Sequence, residues 1–263
     1  MSFEKAAIMP HPPIAMPEVA GDRFGDVELT AKNMLSLSKD IVSISPDTII
    51  IITPHAILHP TSFTTFVDSA LSVNFSMFGA PQVTLNVNND NELINLIAQA
   101  RSKQEKNDLV GVKPGTRLDH GSGVPLYYLL KAGYKGKIVV INYTHANNEV
   151  HLNFGQSLFE VMESYNKKVV LVSSGDLSHR VLKEAPAGFH PDGEKFDKFI
   201  VESIEKGDYN AIINIDPTFR YNAGECAYNS LMVAFGALNR KKQNNKIYSY
   251  QAPFGVGYLV ATL

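Results

Sequence analysis

The sequence has a single cysteine, no tryptophan and no strong excess of charge of either sign. One cysteine, Cys226, excludes a disulfide within the chain and is typical of a protein kept in a reducing compartment. No apolar run approaches the roughly 20 residues of a membrane-spanning helix, and the first residues lack the basic-then-apolar order of a secretion signal. These absences predict a cytoplasmic protein that makes no contact with membranes.

Basic clusters and several well-known catalytic motifs are also missing. Lys and Arg total 24 against 26 Asp and Glu, and the densest basic cluster is Arg240-Lys241-Lys242. This balance argues against nucleic acid as a partner. The sequence has no G-x-S-x-G nucleophile elbow, no Walker A loop and no G-x-G-x-x-G motif. It therefore gives little support to serine-hydrolase or nucleotide-binding chemistry.

What the sequence does contain is an alternation of short apolar segments with amphipathic ones. Apolar, β-branched runs predict buried strands at residues 6–9, 48–52, 137–142 and 168–172. Helical periodicity predicts helices at residues 28–44, 91–100, 124–132, 150–165, 195–206 and 224–239. Residues 247–263 predict two strands separated by a Pro-Phe-Gly turn. The alternation predicts one three-layer α/β domain around a mixed, largely parallel sheet with a C-terminal antiparallel hairpin.

Polar residues follow each of the four predicted strands. The segments that leave them contain His11, His55, His145, and the pair Asp176 and His179. Ligands of open α/β sheets bind beyond the carboxyl ends of the strands, so these side chains are predicted to converge on one crevice. A single histidine after a strand is more often a surface or capping residue. The prediction therefore depends on several such histidines meeting at one edge.

A carboxylate near this crevice would complete a metal site. Glu225 is predicted in the first turn of the last long helix, where a plain N-terminal charge is the simpler interpretation. Two imidazoles and a carboxylate form the facial triad of non-haem Fe(II) oxygenases, and zinc hydrolases use the same set. His120 and His179 are candidates for proton transfer, and Asp176 for orienting a histidine or anchoring its loop. The neighbouring Cys226 is predicted to be a small buried residue, although a thiolate also binds metals.

Six motifs together resemble a known family. They are PHPPI, ITPHA, LDHGSGVPLYYL, SSGDLSH, GECAYNSLMVAFGAL and APFGVGYLVA, and they run from His11 to Val260. This set resembles the LigB-type family, the catalytic B subunits of class III extradiol ring-cleavage dioxygenases. Within it, the sequence looks like the Memo-like branch called AmmeMemoRadiSam system protein B.

The resemblance implies a fold, a reaction and a role for each candidate residue. Residues 1–263 would form one catalytic domain that binds Fe(2+) through His11, His55 and Glu225. His120 and His179 would be the further active-site histidines, with His179 as the general base and Asp176 beside it. The substrates would be O2 and a small dihydroxylated aromatic compound, whose ring the enzyme cleaves. Many relatives form homo-oligomers or need a small partner subunit.

One departure concerns the third metal ligand. The eukaryotic Memo branch has a cysteine where the dioxygenases have glutamate, and this chain has Glu225 and Cys226 side by side. We favour Glu225, because it completes the hard-ligand set that iron prefers. Two other hypotheses remain open. One is a Memo-like protein that binds Zn(2+) or Cu, acts with partner proteins and cleaves no ring; the other is a zinc hydrolase.

Overall fold

A computed structural model describes residues 3–106, 108–239 and 245–263, so the basic cluster Arg240-Lys241-Lys242 lies outside the described residues. The strands of the described residues are β1 (Phe3–Met9), β2 (Thr48–Thr53), β3 (Phe63–Thr65), β4 (Ala70–Phe75), β5 (Ala80–Asn88), β6 (Leu109–Gly111), β7 (Lys137–Asn142), β8 (Val169–Ser174), β9 (Lys246–Gln251) and β10 (Tyr258–Thr262). The helices are α1 (Pro17–Ala20), α2 (Phe24–Ser43), α3 (Asn91–Lys103), α4 (His120–Lys131), α5 (Asn148–Ser164), α6 (Asp192–Lys206), α7 (Tyr209–Ile213), α8 (Pro217–Ala223) and α9 (Tyr228–Ala237). None of these helices is both long and apolar enough to cross a lipid bilayer.

Eight of the strands form one mixed sheet in the order β6-β3-β7-β2-β8-β1-β10-β9. The four central strands, β7, β2, β8 and β1, are parallel to one another, and β3 is antiparallel to β7. At one side β10 is antiparallel to β1 and β9 is antiparallel to β10. The fold prediction is confirmed: the chain has an α/β fold with a largely parallel sheet and a C-terminal antiparallel pair. The strands β4 and β5 form a separate two-stranded sheet.

The central sheet is covered on both faces, which explains why its strands are apolar at every position. In β2, Ile50 and Ile52 pack into one hydrophobic cluster with α3, α5, α6 and α9. Ile49 and Ile51 point to the opposite face and pack into a second cluster with α2 and α4. This is the alternation expected of a strand in the middle layer. All four isoleucines are fully buried.

The helices α5 and α9 pack closely through two glycines. A Cβ added to Gly155 would lie 2.0 Å from the carbonyl oxygen of Val233, and one added to Gly236 would lie 2.1 Å from that of Leu152. Neither position has room for a side chain, so the two backbones are in direct contact. This contact fixes α9 relative to α5, and the residues just before α9 contribute to the candidate site.

The predicted helix at residues 224–239 is shorter than expected. Gly224 has φ +63° and ends α8, because its left-handed conformation satisfies the last carbonyls of that helix. Its backbone N–H donates to the carbonyls of Arg220 and Tyr221. The next helix, α9, begins only at Tyr228. Glu225 and Cys226 therefore lie in the connection between two helices, and not in the first turn of one.

Asp197 on α6 is a buried carboxyl group that links three parts of the fold. Its side chain is fully buried and accepts hydrogen bonds from the Ser178 backbone N–H and the Tyr250 hydroxyl, each at 2.7 Å. Burial raises the pKa of Asp197 to about 7, and the nearby carboxylates of Asp176 and Glu225 add to the increase. The protonated form is therefore the one that the fold favours.

We predict that Asp197 makes the stability of the protein fall between pH 5 and pH 7. The folded-state pKa lies above that of the unfolded chain, so its stabilising contribution is full below about pH 4 and is lost as the pH rises through 7. Between pH 5 and pH 7 the free energy of unfolding should drop by about 2 kcal/mol more in the wild type than in Asp197→Asn. Urea unfolding at the two pH values measures this. Glu205→Gln, an exposed change on α6, serves as the control; equal slopes in wild type and Asp197→Asn would contradict the prediction.

Candidate metal centre

The candidate site lies at the carboxyl edge of the central sheet. His11 follows β1 and His55 follows β2, and the two strands flank β8 in the same direction. His120 is the first residue of α4, and Cys226 lies just before α9. Because β1, β2 and β8 are parallel, the segments that leave them meet at one edge. The predicted convergence of strand-end histidines therefore occurs for His11 and His55. His145, which follows β7, is exposed and outside this group.

Three side chains bring possible metal ligands close together: His11, His55 and Cys226. Their ligand atoms all lie within 4.8 Å of one another. The Nε2 atoms of His11 and His55 are 2.9 Å apart, and Cys226 Sγ lies 3.5 Å from His11 Nε2. His11 is buried, Cys226 is partly buried and His55 is exposed, so the group is accessible from one side.

These separations and charges fit a single metal ion. Metal–nitrogen distances near 2.0–2.1 Å and metal–sulfur distances near 2.3 Å place the ligand atoms of one ion roughly 3–4 Å apart. Burial, and then the neighbouring imidazoles, lower the pKa of His11 well below its ordinary value. Although one side of His55 is exposed, partial burial of its ring, and then the imidazoles of His120 and His179, lower its pKa to about 4. Both rings are therefore neutral at neutral pH, which is the form that binds a metal.

Ser174, the last residue of β8, fixes the ring of His11. Ser174 Oγ donates to the carbonyl of Gly121 at 2.5 Å and accepts from His11 Nδ1 at 2.9 Å. The proton of the neutral ring is then on Nδ1, and the lone pair of Nε2 points at His55 and Cys226. The strand register explains why Ser174 can take this role. Ser174 pairs with Met9 across the parallel strands, which places it beside the segment that carries His11.

Asp176 holds the His11 and Cys226 segments together. Its carboxylate accepts from the His11 backbone N–H at 2.9 Å, and its own N–H donates to Cys226 Sγ at 3.3 Å. Burial raises the pKa of Asp176 to about 7, although the hydrogen bond from His11 opposes the shift. Burial and the nearby Asp176 carboxylate raise the pKa of the Cys226 thiol. Binding of a metal ion would therefore release the thiol proton.

Glu225, the predicted carboxylate ligand, lies elsewhere in this structure. Its Oε1 accepts from Arg220 Nε at 2.5 Å, and its Oε2 accepts from the Tyr228 backbone N–H at 2.5 Å. The side chain is 2% exposed. Its bond from the Tyr228 backbone N–H satisfies a donor at the N-terminal end of α9. The predicted set of His11, His55 and Glu225 is thus brought together only in part. The side chain grouped with His11 and His55 is that of Cys226, and Glu225 as a ligand stays a prediction.

The two further histidines surround the candidate ligands. The ring of His120 stacks on His55 with centroids 4.6 Å apart, and Phe78 packs against its edge at 5.3 Å. His179 lies near enough to His11 and His55 to lower the pKa of both. Its Nδ1 is buried without a hydrogen-bond partner among the described residues. Burial lowers the pKa of His179, so its ring can accept a proton from a group bound beside it.

Comparisons with known proteins found similarities that cover most or all of this chain. Residues 5–261 match the family described as "Catalytic LigB subunit of aromatic ring-opening dioxygenase". Protein CA_C1420 of Clostridium acetobutylicum is 36% identical over 270 residues, which cover all of this chain and 58% of that protein. The chain thus spans a little more than half the length of that relative.

Two more distant similarities were found. The 3,4-dihydroxyphenylacetate 2,3-dioxygenase of Escherichia coli is 25% identical over 253 residues, 90% of each chain. The crystal structure of the uncharacterized protein JW3007 from Escherichia coli K12 matches with a TM-score of 0.58 and 13% identity over 98% of both chains, and this likeness supports the fold alone. Since the family match spans nearly the whole chain and includes every residue of the candidate site, the protein belongs to the family of the catalytic LigB subunit of aromatic ring-opening dioxygenases.

Proposed function

We propose that the protein binds one metal ion through His11, His55 and Cys226, as a Memo-like member of the LigB family. The observation that carries this proposal is the grouping of the three ligand atoms within 4.8 Å. Both imidazoles are held neutral, and Ser174 directs the free nitrogen of His11 to the group.

Cys226 is a better third ligand here than Glu225. To reach a metal ion, Glu225 would have to leave the guanidinium of Arg220 and uncap the N-terminal end of α9. A hydrogen-bonded ion pair that is nearly buried is costly to break, because both charges lose their partners. The thiol of Cys226 already lies 3.5 Å from His11 Nε2 and gives up only a weak contact with Asp176.

The donor set indicates which metal the site would bind and in which compartment the protein would work. Two imidazoles and a thiolate suit zinc and copper, whereas Fe(2+) in oxygenases usually has a carboxylate in the third position. A free thiolate ligand also requires a reducing environment. We therefore propose Zn(2+) or Cu as the first choice, Fe(2+) as the alternative, and the cytoplasm as the location.

Extradiol ring cleavage is a second candidate function, and His120 and His179 favour it. A bound Fe(2+) would supply the redox-active centre at which a dihydroxylated aromatic and O2 meet. The neutral ring of His179 would accept the proton of a phenolic hydroxyl, and His120 would form the wall against which the substrate lies. The relative named 3,4-dihydroxyphenylacetate 2,3-dioxygenase supports a substrate of this class.

Cobalt substitution tests the metal site directly. Protein purified without air and loaded with Co(2+) should bind one ion per chain and show a thiolate-to-cobalt charge-transfer absorption. His55→Ala should bind no stoichiometric metal while its circular dichroism stays unchanged. A bound ion without the thiolate absorption would remove Cys226 from the ligand set, and a lack of stoichiometric binding would overturn the proposal.

A second experiment separates the two candidate functions. The same protein is loaded with Fe(2+), mixed with a panel of catechols including 3,4-dihydroxyphenylacetate, and exposed to O2. Ring cleavage gives a yellow ring-opened product and consumes O2. Product formation would establish the dioxygenase candidate. Failure across the panel with iron demonstrably bound would leave metal binding without ring cleavage as the function.

A further inference from the structure

A cavity of about 410 Å³ lies at the α8–α9 connection. It is lined by Arg180, Pro217, Arg220, Tyr221, Gly224 and Glu225. Two of these residues continue directly into the site, since Arg180 follows His179 and Glu225 precedes Cys226. Tyr221 is 77% exposed and stands at the rim. A small molecule held in this cavity would therefore lie against the same loop segments that carry the metal centre.

The two arginines of the cavity have different surroundings. Arg220 is fully engaged: its Nε donates to Glu225, its Nη2 donates to Asn229 Oδ1 at 3.0 Å, and its guanidinium covers the ring of Tyr228 at 4.1 Å. Arg180 has no carboxylate partner within 4.0 Å in the described parts of the chain. Its Nη1 makes one long hydrogen bond, to the carbonyl of Asn222 at 3.4 Å. Its Nε is buried and, among the described residues, has no acceptor.

The charges of the cavity therefore leave one cation uncompensated. The charge of Glu225 is matched by Arg220 at 2.5 Å, and the charge of Arg180 remains. A partly buried guanidinium without an anion is an unfavourable arrangement in a folded chain unless something else binds it. Guanidinium groups form paired hydrogen bonds with carboxylates, whose geometry matches their own.

We infer that Arg180 binds the carboxylate group of a small ligand in this cavity. A single negative charge fits better than a phosphate dianion, because Glu225 is part of the same wall and one positive charge is left to be matched. The claim that this ligand also approaches the metal ion rests on the proposed function. The claim that Arg180 forms an anion site does not depend on it and is tested without metal and without O2.

The test compares a carboxylate with a neutral molecule of the same shape. Protein without added metal is titrated with phenylacetate and with phenylacetamide, and binding is followed by calorimetry and by the NMR signals of the arginine Nε–H groups. The wild type should bind phenylacetate about tenfold more tightly than phenylacetamide, as expected when a charge-assisted hydrogen bond is gained. The Arg180 Nε–H signal should shift as the carboxylate binds. Arg180→Gln should lose the preference and retain its weaker binding of phenylacetamide.

Two controls keep the outcome unambiguous. Lys39→Gln removes one positive charge from the exposed side of α2 and should retain the preference, which excludes an effect of net charge. Omission of metal from every titration is the second control, so that failure of the metal proposal and failure of this one are distinguishable. The inference is overturned if the wild type shows no carboxylate preference, if Arg180→Gln keeps it, or if inorganic phosphate binds more tightly than phenylacetate. If Arg180→Gln does not fold, the inference is tested on the wild type alone. It is overturned if the Arg180 Nε–H signal does not shift when phenylacetate binds.

Discussion

Cys226→Ala should lower the affinity of the protein for Zn(2+) or Co(2+) by more than about 100-fold, whereas Glu225→Gln should change it by less than about tenfold. Loss of an outer partner of a ligand costs roughly 10–100-fold in affinity, and loss of the ligand itself costs more. Cys226 Sγ lies in the ligand group, while Glu225 is bound to Arg220 and the N-terminal end of α9. Competition with a chelator of known affinity measures both variants.

The two variants also control for each other. They are adjacent in sequence and share the connection between α8 and α9, so a local distortion would affect both. Glu225→Gln should reduce thermal stability more than Cys226→Ala, because it removes the charge that faces Arg220. If Glu225→Gln loses the metal and Cys226→Ala keeps it, the ligand set is the facial triad of two histidines and a carboxylate.

For the ring-cleavage candidate, His179→Ala should keep the metal and lower the turnover of the Fe(2+)-loaded protein by about 10²–10⁴-fold. Removal of a group that transfers a proton has an effect of this size. His179 lies beside the ligand group and has a lowered pKa, so it is neutral and able to accept a proton near neutral pH. Turnover of 3,4-dihydroxyphenylacetate and bound metal per chain are measured on the same samples.

His145→Ala is the matched control for this variant. His145 also follows a strand of the central sheet, but its side chain is exposed and lies outside the ligand group. Its removal should alter neither turnover nor metal content. A His179→Ala protein that loses its metal would place His179 among the ligands, and one that keeps full turnover would remove it from the reaction.

The sheet and the meeting point of His11 and His55 could be predicted from sequence because both follow from simple periodicity. A strand buried on both faces is apolar throughout, and β1, β2, β7 and β8 all have this character. Helices between them imply parallel strands, and parallel strands end at one edge. The short strands β3 and β6, at one side of the sheet, were missed, because three residues are too few for a period to be recognised.

The path of the α8–α9 connection, and with it the candidate third ligand, could not be read from the same patterns. Glu225 and Cys226 are neighbours, and which of them faces His11 depends on the direction of one short connection. That direction is set by Gly224, whose left-handed conformation ends α8, and by the hydrogen bonds of Arg220 to Glu225. Neither feature leaves a periodic signal. The resemblance to ring-cleaving relatives favours the carboxylate. The prediction of Glu225 was therefore based on the family resemblance and not on the local sequence.

The backbone contact between α5 and α9 also affects the metal selectivity expected of the proposed site. Gly155 and Gly236 bring the two helices so close that α9 can neither slide nor roll without collision. Cys226 lies two residues before α9, so the packing of α9 limits how far its thiol can move relative to the sheet edge that carries His11. In the proposed metal site, ligand atoms held at nearly constant separations would discriminate between ions by radius as well as by donor type. Enlarging either glycine would then alter which ion the protein prefers, at a distance from every ligand.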